Sequence, residues 1–385
     1  MSKRANGEGS IFYRESTGRW YASIVADDPA TGERKRTEFS GKTRTEVRKK
    51  LKAAEERAEA GAPIRDATAT VSAWITEWES NGLEASNRRA GTKSLCKSVA
   101  KNHLKPAPFG NVPLDKLRPS HVDALILTLR AKQYQGNALS DATVERVYRV
   151  LSVILDDAVR DGLLARNPAA AVKAPTIRRK EARFLEASEV ASLLKAAEGT
   201  RYHATLALIA ATGLRRGEAL ALKWDDVNLE AGTMRVRGTL SRSGGALIVT
   251  EPKTAKSRRT LPLSPAVVSI LKAHRKAQRL ERIHAGSEWT ETGHVFTTES
   301  GKPVEPRNLF RSLIVAAEQV GLEGVGLHTL RHSAATAWLE NGINLKAVSD
   351  LLGHADIRVA ADCYGHVTES TSRAAMDGLS DALGL

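Results

Sequence analysis

Cysteine is nearly absent, with Cys96 and Cys363 alone in a chain of 385 residues. Two thiols so far apart frame neither a disulfide scaffold nor a zinc site. Cys363 reads as a small buried thiol. Long apolar runs are missing as well: nothing approaches the roughly 20 residues that a membrane span needs. No basic helix carries the bulky apolar face of a membrane-surface binder. The opening MSKRANGEGS has no apolar segment behind its charges, so no secretory signal is expected and the cytoplasm or nucleoid is the expected location. Acidic residues are the scarcer charge, 44 against 58 Lys and Arg, for a net charge of +14. The excess gathers in stretches, which points to a polyanionic partner, nucleic acid before membrane. The length suits two or three domains.

In chain order, residues 1–64 read as a small module of three strands and a helix. Aromatic and β-branched runs (IFYRE, WYASIVA, RKRTEFSG) are separated by turn signals at Ser16-Thr17-Gly18 and from Asp27 to Gly32. A helix from Thr45 carries Val47, Leu51 and Ala54 on one face and ends at Gly61. Arg34, Lys35, Arg36, Lys42 and Arg44 make this module a candidate for phosphate contact, although a solvated basic face is the ordinary reading of such a run. Residues 66–172 read as all helix. The stripes are Val71, Trp74, Ile75, Trp78; then Leu95, Val99 and His103; then Val122, Leu125, Ile126, Leu129; then Val144 through Ala158, closed by Asn167-Pro168. The tryptophans fit a core stripe better than a base-stacking platform. Residues 173–183, KAPTIRRKEAR, form a basic linker without periodicity, and Arg178, Arg179 and Lys180 are candidates to run along DNA.

From 184 to 385 the pattern mixes helices with a small antiparallel sheet. A helix from Ala187 and an apolar one from Thr205 lead to Gly213, and Arg215 follows in TGLRRGE at the start of a further helix. Glu218, three residues on, is placed to brace an arginine. Arg215 reads either as a buried phosphate ligand or as a surface cap. Strand-like runs follow at Thr233–Leu240, Ala246–Thr250 and Arg259–Leu263, the last two joined through EPKTAKSRRT with Lys253, Lys256, Arg258 and Arg259. A lysine at a hairpin tip can enter a groove and protonate a leaving oxygen, though most stay wet. A basic helix and another from Pro306 to Gln319 come next.

The stretch from His328 to Tyr364 concentrates the chemistry. His328 and Arg331 lie one helical turn apart, and guanidinium suits the paired oxygens of a phosphate. Asn341-Gly342 stops this helix; Leu345, Val348, Leu351 and Leu352 form a second, stopped at Gly353. His354 follows at once and Tyr364 closes a third segment. Helix, turn and helix equally describe a helix-turn-helix reader whose His328 and Arg331 touch backbone phosphates, and this stretch alone leaves both readings open.

Arg215 in TGLRRGE, Lys253 in PKTAKSRRTLPL, His328 and Arg331 in HTLRH, His354 in LLGH and Tyr364 in CYGHV follow the order and approximate spacing of the tyrosine recombinase family. The resemblance runs from about Phe184 to Leu385. Upstream, 66–172 is similar to the family's helical core-site-binding domain and 1–64 to the arm-site-binding module of phage and integrative-element integrases. It implies a multidomain α+β chain: a three-stranded β-plus-helix module, an all-helical core-binding domain and a mainly helical catalytic domain with a small antiparallel sheet.

The resemblance also implies a mechanism. Tyr364 would attack a phosphodiester to give a 3'-phosphotyrosine and a free 5'-hydroxyl, each exchange replacing one phosphodiester by another without ATP. A tyrosine with a pKa of about 10 needs a proton acceptor and an electrophilic phosphorus. Arg215 and Arg331 would hold the non-bridging oxygens, His328 would assist proton transfer, Lys253 would protonate the departing 5' oxygen and His354 would hydrogen-bond the phosphate. Glu218 would brace the arginines. Lys256 and Arg258 join the candidate DNA contacts. No metal or other cofactor is implied. The expected partners are double-stranded DNA at specific attachment sites and three further copies of the chain in a synaptic tetramer. A DNA-bending host factor and an excision factor are further candidates. The expected function is integration or excision of a phage or other mobile element. Chromosome-dimer resolution, a relaxing type IB topoisomerase and a non-catalytic DNA-binding regulator are the alternatives.

Overall fold

The computed structural model describes residues 9–27, 34–59, 69–134, 136–177, 183–243, 245–251 and 258–353, with a few positions beyond them. Its internal contacts divide the chain into two compact units, Met1–Arg179 and Lys180–Leu385.

The first unit opens with strands β1 (Ser10–Arg14), β2 (Arg19–Asp27) and β3 (Arg34–Gly41), an antiparallel sheet in that order with Tyr13 opposite Trp20 and Val25 opposite Arg36. The tight turn between β1 and β2 ends on Gly18, whose φ of 63° suits a residue without Cβ. Helix α1 (Arg44–Glu59) lays Val47, Leu51 and Ala54 on Ala22 and Ile24, a small core of its own. The expected strands and helix face are therefore present. The expected turn after Asp27 and the helix end at Gly61 lie outside the described residues.

A second core gathers α2 (Val71–Ser80), α3 (Gly82–Ala85), α4 (Ala90–Val99), α5 (Pro119–Ala131) and α6 (Asp141–Arg160). Trp74 and Trp78 are buried in it, and their indole N–H groups donate to Ile154 O at 3.0 Å and Asp157 Oδ2 at 2.6 Å. Buried indoles need such partners. Three details differ from the sequence reading. Leu95 is exposed, because the buried stripe of α4 runs through Cys96 and Val99 and on to Ala100 just beyond it. A two-residue ladder, β4 (Gln133–Tyr134) with β5 (Asn137–Ala138), interrupts the helices around Gly136 at φ 78°. Helix α6 ends at Arg160 instead of at Asn167-Pro168, and Asn167 caps a separate turn by accepting the Ala169 N–H at 2.8 Å.

The second unit begins with α7 (Ala187–Ala196), α8 (His203–Thr212) and α9 (Arg216–Leu220). Strands β6 (Val227–Asn228), β7 (Thr233–Val236), β8 (Thr239–Ser243), β9 (Ala246–Thr250) and β10 (Arg259–Pro262) follow, then α10 (Pro265–Ala285), α11 (Pro306–Gln319), α12 (Leu327–Glu340) and α13 (Leu345–Leu352). Apolar α8 runs through the middle, buried from Ala204 to Ile209, with α7, α10 and α12 packed on it. The run expected as one strand, Thr233–Leu240, is two strands in two sheets. β7 lies between β10 and β6, whereas β8 pairs with β9. Gly238 marks the break, where a Cβ would come within 2.7 Å of Val249 Cγ1. β9 and β10 consequently do not pair, and the segment expected to be their hairpin connects different sheets. Lys253 and Lys256 on that segment lie outside the described residues.

Candidate active site

The turn after α8 positions Arg215. Gly213 ends α8 in the left-handed region, φ 61°, where a Cβ would also meet Leu352 at 2.7 Å. Two residues later Arg215 caps α9 with extended backbone. Its amide N–H donates to Glu218 Oε2 at 3.0 Å and its Nη1 to Glu218 Oε1 at 2.8 Å, while Nη2 makes a longer contact to Gly353 O at 3.4 Å. The Arg215 side chain stays one-third exposed, and Glu218 is buried. Burial alone would raise the Glu218 pKa. The charge and hydrogen bonds of Arg259, followed by the Arg215 amide and charge, outweigh it and hold the carboxyl below its usual range. Gly217 lets α9 lie directly on β8: a Cβ there would stand 2.6 Å from Thr239 Cγ2 and 2.8 Å from Leu240 O.

Helix α12 supplies the second pair. Arg331 is 4% exposed, and its Nη1 and Nη2 donate to Gly213 O at 2.6 Å and Leu352 O at 2.8 Å. His328, one turn earlier, is exposed. The expectation that both would project together toward one ligand is thus modified, with the imidazole at the surface and the guanidinium buried and held by carbonyls. Partial desolvation, then the charges of Arg331, Arg215 and Arg216, keep the His328 pKa below the ordinary histidine value. That shift favours the neutral ring, the form able to accept a proton. His332 is shifted the same way by burial, His328 and Arg331.

Arg215 and His328 line one cleft of about 1180 Å³ with Arg216, Arg242, Arg307 and Phe310. Arg242 is paired there with Glu305 through two N–H groups. A concave, strongly cationic floor with a neutral imidazole can bind a phosphodiester, offset the charge that builds on it and accept a proton.

Residues 183–371 match the model of the phage integrase family. A tyrosine recombinase XerC-like protein of Caldanaerobacter subterraneus subsp. tengcongensis is 28% identical over 99% of both chains. Tyrosine recombinase XerD of Staphylococcus epidermidis is 30% identical over 56% of this chain and 68% of its own. The chain belongs to the phage integrase family of tyrosine recombinases. It is accordingly an enzyme that cleaves and rejoins DNA. The integrase of transposon Tn1549, solved in complex with a circular intermediate DNA, shares the fold, with a TM-score of 0.66 at 20% identity over 81% of this chain and 99% of that one.

Other candidate residues of this recombinase fall in several places. His354 and Tyr364 lie outside the described residues, as do Arg178, Arg179 and Lys180. Arg34, Lys35 and Arg36 stand on β3, where Arg36 reaches Ser23 Oγ at 3.3 Å and Glu38 at 3.4 Å. Lys42 and Arg44 flank the start of α1, and Arg44 lies over the Trp20 ring at 5.6 Å. Arg258 pairs with Glu251 at 2.6 Å. Arg259, which its place in the basic connection marks for no role, is buried between Glu218 and Leu351. The available signal was strand alternation, which puts Arg259 on the side of β10 that buries Leu261. Among the described residues no His, Cys, Asp and Glu groups come together in a set that could hold a metal, and no helix is long and apolar enough to cross a membrane.

Proposed function

We propose that this recombinase is an integrase of a phage or other mobile element, cutting and rejoining attachment-site DNA through a 3'-phosphotyrosine on Tyr364. The observation that carries the reading is that Arg215 and Arg331, from segments more than a hundred residues apart, both reach the end of α13, while His328 lines the same cleft as Arg215. The Tyr364 oxygen attacks phosphorus and the bond to the 5' oxygen breaks. The phenol proton passes toward His328, and Lys253 supplies a proton to the departing oxygen. Arg215 and Arg331 offset the charge gained by the non-bridging oxygens, His354 hydrogen-bonds the phosphate and Glu218 braces the arginines. The free 5'-hydroxyl of a second junction then reverses the step. No metal or nucleotide takes part.

One protomer carries one such tyrosine, and exchanging both strands of two duplexes takes four, so the working assembly is a homotetramer in synapsis. Residues 66–172 hold the core site. Residues 1–64, with Arg34, Lys35, Arg36, Lys42 and Arg44, hold arm DNA, and 173–183 runs between along the duplex. The extra basic module favours integration and excision over chromosome-dimer resolution.

The test is a nicked suicide duplex carrying a site selected for binding from a random-sequence pool, incubated with protein in chelator and run on a denaturing gel. A covalent band from wild type, absent in Tyr364→Phe, is expected. Footprinted binding by both proteins with an adduct from neither would replace the recombinase reading with a DNA-binding regulator. Cleavage that stops in chelator would overturn the metal-free mechanism.

A further inference from the structure

The last carbonyls of a helix have no partner within it and carry the negative end of its dipole. At the end of α13 three consecutive carbonyls each receive an arginine from a different segment. Leu351 O accepts Arg259 Nε at 2.7 Å, Leu352 O accepts Arg331 Nη2 at 2.8 Å, and Gly353 O accepts Arg215 Nη2 at 3.4 Å. Arg259 also spans Glu218, Nη2 to Oε2 at 3.0 Å and Nη1 to Oε1 at 3.5 Å. The two oxygens that hold Arg215 are therefore held in turn by Arg259, whose side chain is 8% exposed and is not among the residues lining the cleft. Gly353 makes room for it, since a Cβ there would stand 2.7 Å from Arg259 Nη1.

We infer that Arg259 is a positioning residue for DNA cleavage, fixing Glu218 and the end of α13 so that Arg215 is offered to the scissile phosphate in one geometry. A buried carboxylate must find donors for both its oxygens. Glu218 takes contacts on both from two guanidinium groups and one amide N–H. Without Arg259, the nearest cation able to complete its shell is Arg215, whose planar fork would turn inward to pair with both oxygens. That would withdraw it from the cleft. Arg259 satisfies Glu218 from behind and leaves one edge of Arg215 facing outward. A lysine at 259 keeps the charge, but a single ammonium cannot serve both Glu218 and Leu351 O in the geometry of a fork.

This inference rests on the recombinase reading, and its test separates the two. Single-turnover cleavage is measured on the suicide duplex on which wild type forms its adduct. The duplex carries either an ordinary scissile phosphodiester or a methylphosphonate, in which a methyl group replaces one non-bridging oxygen and removes the charge. Arg259→Ala is expected to slow phosphodiester cleavage about tenfold to a hundredfold, the usual effect of losing an orienting partner, with DNA binding unchanged. The deficit should shrink on the methylphosphonate, where there is less charge for Arg215 to offset. It should vanish in an Arg215→Ala background, where there is nothing left to position. Arg259→Lys should remain slow, and it decides the question if Arg259→Ala does not fold. Wild-type rates from either variant, an equal deficit on both substrates, or a full further loss in the Arg215→Ala background would overturn the inference while leaving the recombinase reading standing. No adduct from wild type on any selected duplex would overturn both.

Discussion

Arg331 donates to the carbonyl of Gly213 at 2.6 Å, tying α12 to the turn from which Arg215 emerges. The two arginines are thus mechanically joined, yet they differ in exposure, and their substitutions should have different consequences. Arg331→Ala removes the guanidinium donors of the buried Gly213 and Leu352 carbonyls, a cost of about 1–3 kcal/mol. It should lower the chemical-denaturation midpoint as well as abolish cleavage. Arg215→Ala leaves Glu218 paired with Arg259 and should keep a near-native midpoint while cleaving about a hundredfold to a thousandfold more slowly. Equal stability loss from both would contradict the geometry.

Glu218 gives the protein an acid-sensitive element. Its carboxyl is held below the ordinary 4.5, so its ion pairs contribute fully above about pH 4.5 and that contribution is lost as pH falls through the lower folded value. Glu218→Gln removes a charge that compensates the buried Arg259, at a cost of about 3 kcal/mol. Urea midpoints measured against pH should differ widely between wild type and Glu218→Gln at neutral pH and converge in acid. Parallel curves would show that the carboxylate is not coupled to folding.

For His328 the physical causes predict an order. Arg215 contributes more than Arg216 to holding the ring neutral. In NMR titrations of ring-labelled protein, Arg215→Gln should move the His328 midpoint toward its ordinary value further than Arg216→Gln does. The acid limb of the cleavage profile should follow, because protonation removes the proton acceptor. A titration indifferent to both variants would place the ring outside their field.

In the first unit, Arg34 and Arg44 are exposed on the sheet and helix that carry the basic run. If they meet phosphates, Arg34→Ala with Arg44→Ala should weaken arm-DNA binding on every sequence alike. The slope of log affinity against log salt should fall by roughly one for each phosphate that is no longer neutralised. An unchanged slope would return these residues to the role of a solvated face.

Legibility in the sequence followed the range of the interaction. The stripes of α2, α5 and α6 were readable because a buried helical face repeats every three or four residues. Even so, α4 turned by one position, since Leu95 and Cys96 are both apolar and only packing chooses between them. The break at Gly238 went unread, because a continuous β-rich run does not say which partner each half will pair with. At the site, the Glu218 brace was legible because both ends lie within one helical turn. The grip of Arg259 and Arg331 on the end of α13 was not, as it joins residues 92 and 21 positions apart through backbone carbonyls, which leave no mark on residue identity.

Gly217 sets a boundary on how this enzyme can be varied. Thr239 Cγ2 and the Leu240 carbonyl of β8 stand 2.6 and 2.8 Å from where its first side-chain carbon would be, so a saturation library at 217 should return glycine far above any other residue. Chimeras with relatives meet the same limit. The turn carrying Arg215 and the strand through Leu240 form a fitted pair, and crossovers that separate them should yield fewer active hybrids than crossovers that keep them together.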